Sequence, residues 1–266
     1  RAIARALAED HDGRMRPIVP LIAETGGINA MIVDSSALPE QVVDAVVQSA
    51  FRSAGQRCSA LRLLCLHEEV TEAVLAMLGG AMAELTVGDP ADPATDVGPV
   101  IDKSAKRQIE ARLAVLEQSA RLIARTPIAA GIAGNYVAPC AYEVEDIESV
   151  TDEIFGPVLQ VVRWSGDVEP VVTRINALGF GLTLGVQTRI DGRAERVAAL
   201  ARVGNVYINR GMTGAVVGVQ PFGGEGFSGT GPKAGGPHYL TRFCVEQTVT
   251  INTAAAGGNA ALLSTQ

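Results

Sequence analysis

Cys58 stands in the segment Gly55-Gln56-Arg57-Cys58-Ser59, between a predicted long helix and a predicted strand. A thiol at such a junction is exposed more readily than one inside an element. The charge of Arg57 and the nearby backbone N–H groups favour the thiolate, which is the form that attacks electrophiles. A free cysteine taken alone is more often a small core residue, and this is the prediction for Cys65, Cys140 and Cys244.

Two carboxylates stand where a general base would be useful. Glu24 ends an apolar run just before a double glycine, where a half-buried carboxylate would have a raised pKa. Glu153 belongs to the segment Asp152-Glu153-Ile154-Phe155-Gly156-Pro157 and is predicted to be an acid of an exposed loop. Either residue, taken alone, is equally compatible with an ordinary surface carboxylate.

An alternation of strands and helices must position these residues. The predicted strands are 30–33, 61–66, 158–162, 182–188 and 203–208, with a short extended run at 18–22. The predicted helices are 1–10, 39–51, 68–85, 102–120, 167–178 and 191–201. This order predicts an α/β fold with mostly parallel strands. Residues 121–139 and the glycine-rich stretch 211–236 are predicted to be irregular, and 243–251 to be a pairing strand.

The composition excludes several classes of function. The chain has 266 residues, of which 47% are apolar and 19% charged, and its net charge is −7. An acidic chain has no overall electrostatic attraction for nucleic acid or anionic lipid. No apolar run approaches the roughly 20 residues of a membrane-spanning helix, and residues 1–16 do not read as a signal peptide. Four cysteines and three histidines lie far apart, so no metal site and a reducing, cytoplasmic location are expected.

Four segments together resemble the aldehyde dehydrogenase superfamily. They occur in the order of that family and at about its spacing: Glu24-Thr25-Gly26-Gly27, Gly55-Gln56-Arg57-Cys58, Glu153-Ile154-Phe155-Gly156-Pro157 and Pro221-Phe222-Gly223-Gly224. The resemblance covers essentially the whole chain. It implies the family's catalytic domain, a parallel sheet with helices on both faces, together with remnants of a Rossmann-like cofactor domain and an oligomerisation strand.

Further segments narrow the resemblance. The stretches 57–62, 181–185, 214–224 and 228–237 are similar to glutamate-γ-semialdehyde (Δ1-pyrroline-5-carboxylate) dehydrogenases. The stretch 252–259 is similar to bifunctional bacterial proline utilisation A proteins more than to stand-alone dehydrogenases. The chain is therefore expected to be a C-terminal fragment of such a bifunctional protein, and to lack dehydrogenase activity when isolated.

The resemblance implies roles for the catalytic pair. Cys58 would attack the aldehyde carbon of L-glutamate-γ-semialdehyde to form a thiohemiacetal, and hydride loss to NAD would leave a thioester. Glu24 would activate the water that hydrolyses this thioester to L-glutamate. Splitting the reaction into two covalent steps suits a thiolate nucleophile. The backbone N–H of Cys58 would supply half of an oxyanion hole.

The resemblance also implies binding residues. Glu153 would hold the nicotinamide ribose of NAD, and Phe155 would pack beside that end of the cofactor. The backbone N–H groups of Gly214 and Ala215 would bind the substrate's α-carboxylate. Two more residues would complete the substrate site. The hydroxyl of Ser59 would donate a hydrogen bond to the same carboxylate, and the ring of Phe222 would pack against the aliphatic part of the substrate.

The family's domain plan implies four parts. Residues 1–24 would end an NAD-binding domain whose first half precedes this chain, and 25–222 would be the catalytic domain. Residues 223–252 would return to the cofactor domain and contribute the oligomerisation strand 243–251 of a homo-oligomer, and 253–266 would form a tail. FAD is expected only in an upstream proline dehydrogenase domain, whose presence stays open, as does peripheral membrane association of the parent protein.

Two alternatives stay open from the sequence. One is an aldehyde dehydrogenase for another semialdehyde, in which Ser59 and Gly214 would not govern the choice of substrate. The other is a truncated, non-catalytic module that keeps only an assembly role. Thiol-dependent esterase activity would distinguish an enzyme from the non-catalytic module, because that reaction requires Cys58 and no cofactor.

Overall fold

The computed structural model describes residues 2–8, 19–252, 255 and 264. Its core is built from short strands, most of them following apolar runs of the sequence. The strands are β1 (Asn29–Val33), β2 (Leu61–His67), β3 (Arg121–Arg125), β4 (Cys140–Glu143), β5 (Val158–Trp164), β6 (Phe180–Gly181), β7 (Thr183–Gln187), β8 (Asn205–Ile208) and β9 (Glu225–Gly226).

Seven of these strands form one sheet in the order β3-β4-β5-β2-β1-β7-β8. All neighbouring pairs are parallel except β3 with β4, which is antiparallel. Strands β1, β2 and β7 are buried along their whole length, so both faces of the sheet are covered. Continuous apolar runs such as Ala30–Val33 are typical of strands buried on both faces. The remaining strands, β6 and β9, form a separate antiparallel pair.

Within the described residues, six helices accompany the strands: α1 (Ala2–Ala8), α2 (Pro39–Ala50), α3 (Glu68–Ala83), α4 (Lys103–Ser119), α5 (Val168–Ala177) and α6 (Asp191–Leu200). Pro39 opens α2, where its missing N–H costs no helical hydrogen bond. The side chain of Asp102 caps α4 by accepting a hydrogen bond of 2.7 Å from the N–H of Ala105. Helix α2 packs against α3, and α5 packs against α6.

The α/β class and the mostly parallel sheet predicted from the sequence are confirmed. The predicted strands between residues 30 and 208, and the predicted helices between residues 39 and 201, lie within a few residues of their observed bounds. Residues 1 and 9–18 of the predicted first helix and extended run lie outside the described residues. The run continues at 19–23 without regular structure, and the observed α1 is exposed to solvent.

The prediction of an irregular segment at 121–139 was wrong in part. Its first five residues form β3, which borders the sheet and is half exposed. Arginines at both ends of β3 are typical of an edge strand, and they obscure the apolar pattern by which strands are recognised. The next strand, β4, has only four residues and was also missed. In the glycine-rich stretch, Glu225–Gly226 pairs with Phe180–Gly181, although no element was predicted there.

The predicted strand at 243–251 is absent from the described part of this chain. Leu240–Phe243 forms a 3₁₀ turn, and 244–252 has no regular structure. A strand requires a neighbour for its backbone hydrogen bonds, and within the described residues this segment belongs to neither sheet. Its side chains are exposed, with Val245 96% accessible. Of the predicted tail, 253–266, all but residues 255 and 264 lies outside the described residues.

Two of the four cysteines are buried and two are exposed. Cys65 and Cys140 are fully buried core residues as predicted, and burial raises the pKa of each thiol to about 12. Cys58 and Cys244 are exposed. The prediction that Cys244 is a core residue was therefore wrong, because the cysteine lies in an exposed segment without regular structure. Cys58 also lines a cavity.

Candidate active site

The segment that carries Cys58 (residues 55–59, the Cys58 segment) follows a strained turn. Ser53, Ala54 and Gly55 all have left-handed backbone conformations, with φ of 57°, 52° and 64°. Such angles are unfavourable for residues with a Cβ, and they concentrate at functional sites. Gly55 is required for a second reason. A Cβ at this position would overlap the carbonyl oxygen of Gly156, so only glycine permits this close approach.

Asn29 fixes the Cys58 segment to the centre of the sheet. Its side-chain Nδ2 donates to the carbonyl oxygens of Cys58, at 2.7 Å, and of Ala60, at 2.9 Å. Its Oδ1 accepts a hydrogen bond of 3.2 Å from the N–H of Thr183. The amide is buried and has a partner on strand β7 as well as on the turn into β2. Asn29 therefore holds the backbone of Cys58 against the sheet.

The exposed thiol of Cys58 opens onto a cavity of about 590 Å³. Three of the predicted substrate residues, Ser59, Ala215 and Phe222, line this cavity together with Cys58. Other lining residues are Gln56, Arg57, Val217, Gly218, Gln220, Ala234 and Gly235. Gly214 is exposed beside Ala215 with φ of +81°, and it is not among the residues that line the cavity.

A second cavity of about 890 Å³ lies on another side of the Cys58 segment. It is lined by Glu153 and Phe155, which the sequence predicted to bind the cofactor, and by the first half of α4. Gln56 lines both cavities, and its Oε1 accepts a hydrogen bond of 3.0 Å from the N–H of Ile101. The Cys58 segment thus borders two separate spaces, each containing a different predicted group of residues.

Glu24 lies beside the glycine turn that follows Phe222. Its Oε2 accepts a hydrogen bond of 3.1 Å from the N–H of Gly224, and its backbone pairs with that of Gly229. The residue is exposed, where a half-buried one was predicted. The raised pKa was predicted correctly, since partial burial of the carboxyl group raises it against the opposing effect of the Gly224 N–H. Glu24 is not among the residues that line the Cys58 cavity, although Gly224, whose N–H it binds, lies two residues after the lining residue Phe222.

Glu153 begins the loop 153–157 and lies against the double glycine that follows Glu24. A Cβ on Gly26 would overlap the carboxylate of Glu153, so the two groups are in close contact. Burial raises the pKa of Glu153, while the charge of Arg62 and the N–H of Gly27 act in the opposite direction. The side chains of Arg62 and Glu153 form an ion pair, with Arg62 Nη2 lying 3.5 Å from Glu153 Oε1.

Comparison with known proteins places these features in a family. The model of the aldehyde dehydrogenase family matches residues 1–249. The chain belongs to the aldehyde dehydrogenase family. This confirms the resemblance found in the sequence, and the four segments that carried it are the Glu24, Cys58, Glu153 and Phe222 segments described above.

Two of the proteins that the chain resembles are named PutA. The chain is 54% identical over 253 residues to the bifunctional protein PutA of Escherichia coli (strain K12), a match that covers 91% of this chain and 19% of PutA. A crystal structure of a Bradyrhizobium japonicum proline utilization A (PutA) mutant superposes with a TM-score of 0.89 at 57% identity, covering 96% of this chain and 26% of that one.

A third relative is a stand-alone protein. The crystal structure of 1-pyrroline-5-carboxylate dehydrogenase from Thermus with bound NAD superposes with a TM-score of 0.78 at 36% identity. That match covers 84% of this chain and 43% of the Thermus chain. This aldehyde dehydrogenase chain thus spans about a fifth of E. coli PutA and less than half of the Thermus protein.

Two residues of this family member were given no role from the sequence, Asn29 and Arg62. Each is buried and hydrogen-bonded to the backbone near Cys58. Arg62 had a visible signal, because it is the one charged residue of the apolar run Leu61–Leu66. Asn29 had none, since a polar residue at the start of a strand is common.

Two classes of feature are absent from the described ranges. Within them, no group of three or more His, Cys, Asp or Glu side chains is arranged to hold a metal ion. In the same ranges, no helix has the length and apolar character needed to cross a membrane.

Proposed function

We propose that this chain carries the catalytic thiol of an NAD-dependent dehydrogenase that oxidises L-glutamate-γ-semialdehyde to L-glutamate in proline catabolism. The observation that carries the proposal is the position of Cys58, an exposed thiol on an anchored segment that borders two cavities. The relatives support the substrate, since they are named PutA and 1-pyrroline-5-carboxylate dehydrogenase. Pyrroline-5-carboxylate is the cyclic form of glutamate-γ-semialdehyde.

In the first step, the Cys58 thiolate adds to the aldehyde carbon. A C–S bond forms, the carbonyl π bond breaks, and the electron pair moves to the oxygen. The backbone N–H of Cys58 donates to that oxygen as half of an oxyanion hole. The hydrogen bond from Asn29 to the Cys58 carbonyl holds this peptide in place, so the donor is oriented before the charge develops. Loss of hydride from the tetrahedral carbon leaves a thioester on Cys58.

In the second step, Glu24 accepts a proton from the water that attacks the thioester. The C–S bond breaks, L-glutamate leaves, and the thiolate returns. For this step Glu24 must release the Gly224 N–H and turn toward the Cys58 cavity. The release costs little, because Glu24 is an exposed side chain held by one backbone hydrogen bond. Its raised pKa suits a base that must both take and return a proton.

The 590 Å³ cavity suits a short amino acid aldehyde. Phe222 offers an apolar wall to the methylene groups, and Ser59 offers a hydroxyl to the α-carboxylate. Gly214 and Ala215 would complete the carboxylate site with backbone N–H groups, as nests do for anions. The left-handed conformation of Gly214 is the kind from which such N–H groups point to one side.

The 890 Å³ cavity suits the nicotinamide end of NAD, and its residues pass a test of fit. Oε1 of Glu153 is buried, and within the described structure it has no hydrogen-bond partner. A buried acceptor without a donor is costly, and a ribose hydroxyl would satisfy it. Phe155 presents an exposed ring to the same space. NAD, when bound, supplies the acceptor for the hydride.

The remaining parts of the family plan enter the proposal as follows. Residues 25–222 would be the catalytic domain, while 1–24 and 223–252 would belong to the cofactor domain and its pairing segment. The exposed apolar side chains of 244–252, Val245 among them, would be covered by a second copy of the chain in a cytoplasmic homo-oligomer. FAD would belong only to a proline dehydrogenase domain elsewhere in a longer parent.

The test uses the full-length protein that contains this chain, with NAD reduction as the readout. We expect Cys58→Ser to lower the rate with glutamate semialdehyde by at least about a thousandfold. Cys244→Ser is the matched control, since it removes the other exposed thiol, and it should leave the rate unchanged. Substantial turnover by Cys58→Ser would overturn the proposal.

A further inference from the structure

Arg62 is a buried arginine in a strand that is otherwise apolar. It is 1% exposed, and it is among the largest fully buried side chains of the described structure. Burial alone lowers the pKa of this guanidinium, which shows that the site penalises its charge. Taking an ion out of water costs several kcal/mol, and hydrophobic residues of similar volume are often more favourable. Stability therefore gives no reason for an arginine at this position.

The contacts of Arg62 join two loops. Its Nη1 donates to the carbonyl of Gly156 at 2.9 Å, and its Nη2 donates to the carbonyl of Arg57 at 3.3 Å. The same Nη2 lies 3.5 Å from Oε1 of Glu153, and the guanidinium carbon lies 5.2 Å from the centre of the Phe155 ring. One side chain thus contacts the residue before Cys58 and three residues of the loop 153–157.

A second observation joins the same two loops independently of Arg62. Gly55 approaches the carbonyl oxygen of Gly156 so closely that no Cβ fits between them. The Cys58 segment and the loop 153–157 are therefore packed as one unit, with Arg62 inside it. Glu153 is the carboxylate that faces this guanidinium, so their charges compensate each other.

We propose that Arg62 is a positioning residue for cofactor binding, which holds the Glu153 carboxylate and the Phe155 ring at a fixed place relative to Cys58. The inference rests on the proposed use of NAD and adds to it the residue that aligns the two halves of the site. Arginine suits this task because its planar fork donates in several fixed directions at once. A lysine would keep the charge and would reach only one of the partners.

The test compares Arg62→Met and Arg62→Lys with the parent in the full-length protein. NAD affinity is measured by calorimetry in the absence of substrate, and KM and kcat are measured separately. We expect Arg62→Met to weaken NAD binding by about tenfold or more, as for loss of a buried charged partner. Arg62→Lys should recover part of that loss. The control Arg174→Met removes an exposed arginine paired with Glu148 and should change neither value.

A double-mutant cycle with Glu153→Gln shows whether Arg62 acts through Glu153. If it does, Arg62→Met adds little to the loss of NAD affinity already caused by Glu153→Gln. Should Arg62→Met fail to fold, as judged by circular dichroism, Arg62→Lys and its cycle carry the test. Unchanged NAD affinity in folded Arg62 variants would overturn the inference and leave the proposed function standing. A parent protein that binds no NAD would overturn both.

Discussion

The side-chain amide of Asn29 donates a hydrogen bond to the backbone carbonyl of Cys58, with Nδ2 and O 2.7 Å apart. Asn29 is the first residue of β1, which lies between β2 and β7 inside the seven-stranded sheet, and its other contacts reach Ala60 and Thr183. The exposed thiol is thus attached to a strand that is buried along its whole length. A nucleophile needs this combination, since its sulfur must be accessible while its backbone stays fixed.

This relationship predicts a defect in Asn29→Asp. The substitution preserves shape but removes both N–H donors and directs a carboxylate at two carbonyl oxygens. We expect a loss of about 2–3 kcal/mol in the free energy of unfolding, together with slower alkylation of Cys58 by iodoacetamide in the remaining folded protein. Asn176→Asp is the matched control, because Asn176 also bridges Leu200 and Arg202 but lies away from Cys58. It should lower stability without slowing alkylation. Equal alkylation rates in the two variants would contradict the anchoring role.

Glu24 predicts a pH dependence for thioester hydrolysis. Its pKa is raised above 4.5 by partial burial, so the base becomes protonated at a higher pH than an ordinary glutamate. The hydrolysis rate should therefore fall as the pH decreases through this raised pKa, and the fall should begin at a higher pH than for an ordinary glutamate. Glu24→Gln should remove this dependence and let the thioester accumulate. This accumulation would be seen as a burst of one NADH per site, followed by slow turnover. Stopped-flow measurements across pH test both effects.

Glu225→Gln is the control for this experiment. Glu225 is an exposed carboxylate next to Gly224 in the same turn, so its removal changes the local charge equally. It should leave both the burst and the pH dependence as in the parent. If Glu24→Gln hydrolyses the thioester at the parent's rate, another group is the base.

The sheet was largely predictable because its central strands are continuous apolar runs. Residues 61–66 and 158–162 are short, largely apolar runs that predict buried strands, and they are β2 and β5. The edge strand β3 was not predictable in this way. It is half exposed and flanked by arginines, so no clear apolar pattern marks it. The predicted strand at 243–251 was wrong for a different reason, since a polar/apolar alternation in the sequence does not supply the neighbouring strand that its backbone hydrogen bonds require.

The candidate site was predictable where a side chain itself defines the chemistry. The resemblance to the aldehyde dehydrogenase family grouped Cys58, Ser59, Ala215 and Phe222, and these four residues line one cavity. Positioning residues were not predictable, because they act through backbone groups distant in the chain. Arg62 donates to a carbonyl 94 residues away, and no local pattern encodes such a contact.

Gly214 predicts how the substrate's carboxylate is recognised. Its φ is +81°, and a Cβ would meet no atom within 4 Å, so Gly214→Ala adds backbone strain without a clash. We expect the loop carrying its N–H to shift, raising the KM for glutamate semialdehyde by about tenfold. Turnover of an aldehyde without a carboxylate, such as propionaldehyde, should be unaffected. Steady-state kinetics with the two substrates provide the measurement.

Gly166→Ala is the matched control for Gly214→Ala. Gly166 has φ of +75° and equally open surroundings, but it lies between β5 and α5. It should carry the same strain and leave both KM values unchanged. If Gly214→Ala also leaves them unchanged, the carboxylate is bound elsewhere, and an aldehyde dehydrogenase for another semialdehyde becomes the better reading.

Gly26 offers a test of Glu153 that leaves Glu153 itself in place. A Cβ added at Gly26 would overlap the carboxylate of Glu153, and its three nearest atoms all belong to that side chain. The end of a glutamate side chain moves at little cost, so Gly26→Ala should keep the fold while displacing the carboxylate. We expect NAD affinity to fall by about tenfold, because a displaced acceptor loses its hydrogen bonds to the ribose. Cofactor-independent ester hydrolysis by Cys58 should be retained.

Gly79→Ala is the control, since a Cβ there meets no atom within 4 Å and lies in helix α3. It should leave NAD affinity unchanged and raise stability by up to about 1 kcal/mol. Calorimetry with NAD, an ester hydrolysis assay and thermal unfolding of the three proteins separate the effects. Normal NAD affinity in Gly26→Ala would mean that the place of the Glu153 carboxylate does not matter for the cofactor. The role assigned to Arg62 would then lose its reason as well, because that role is to hold this carboxylate in place.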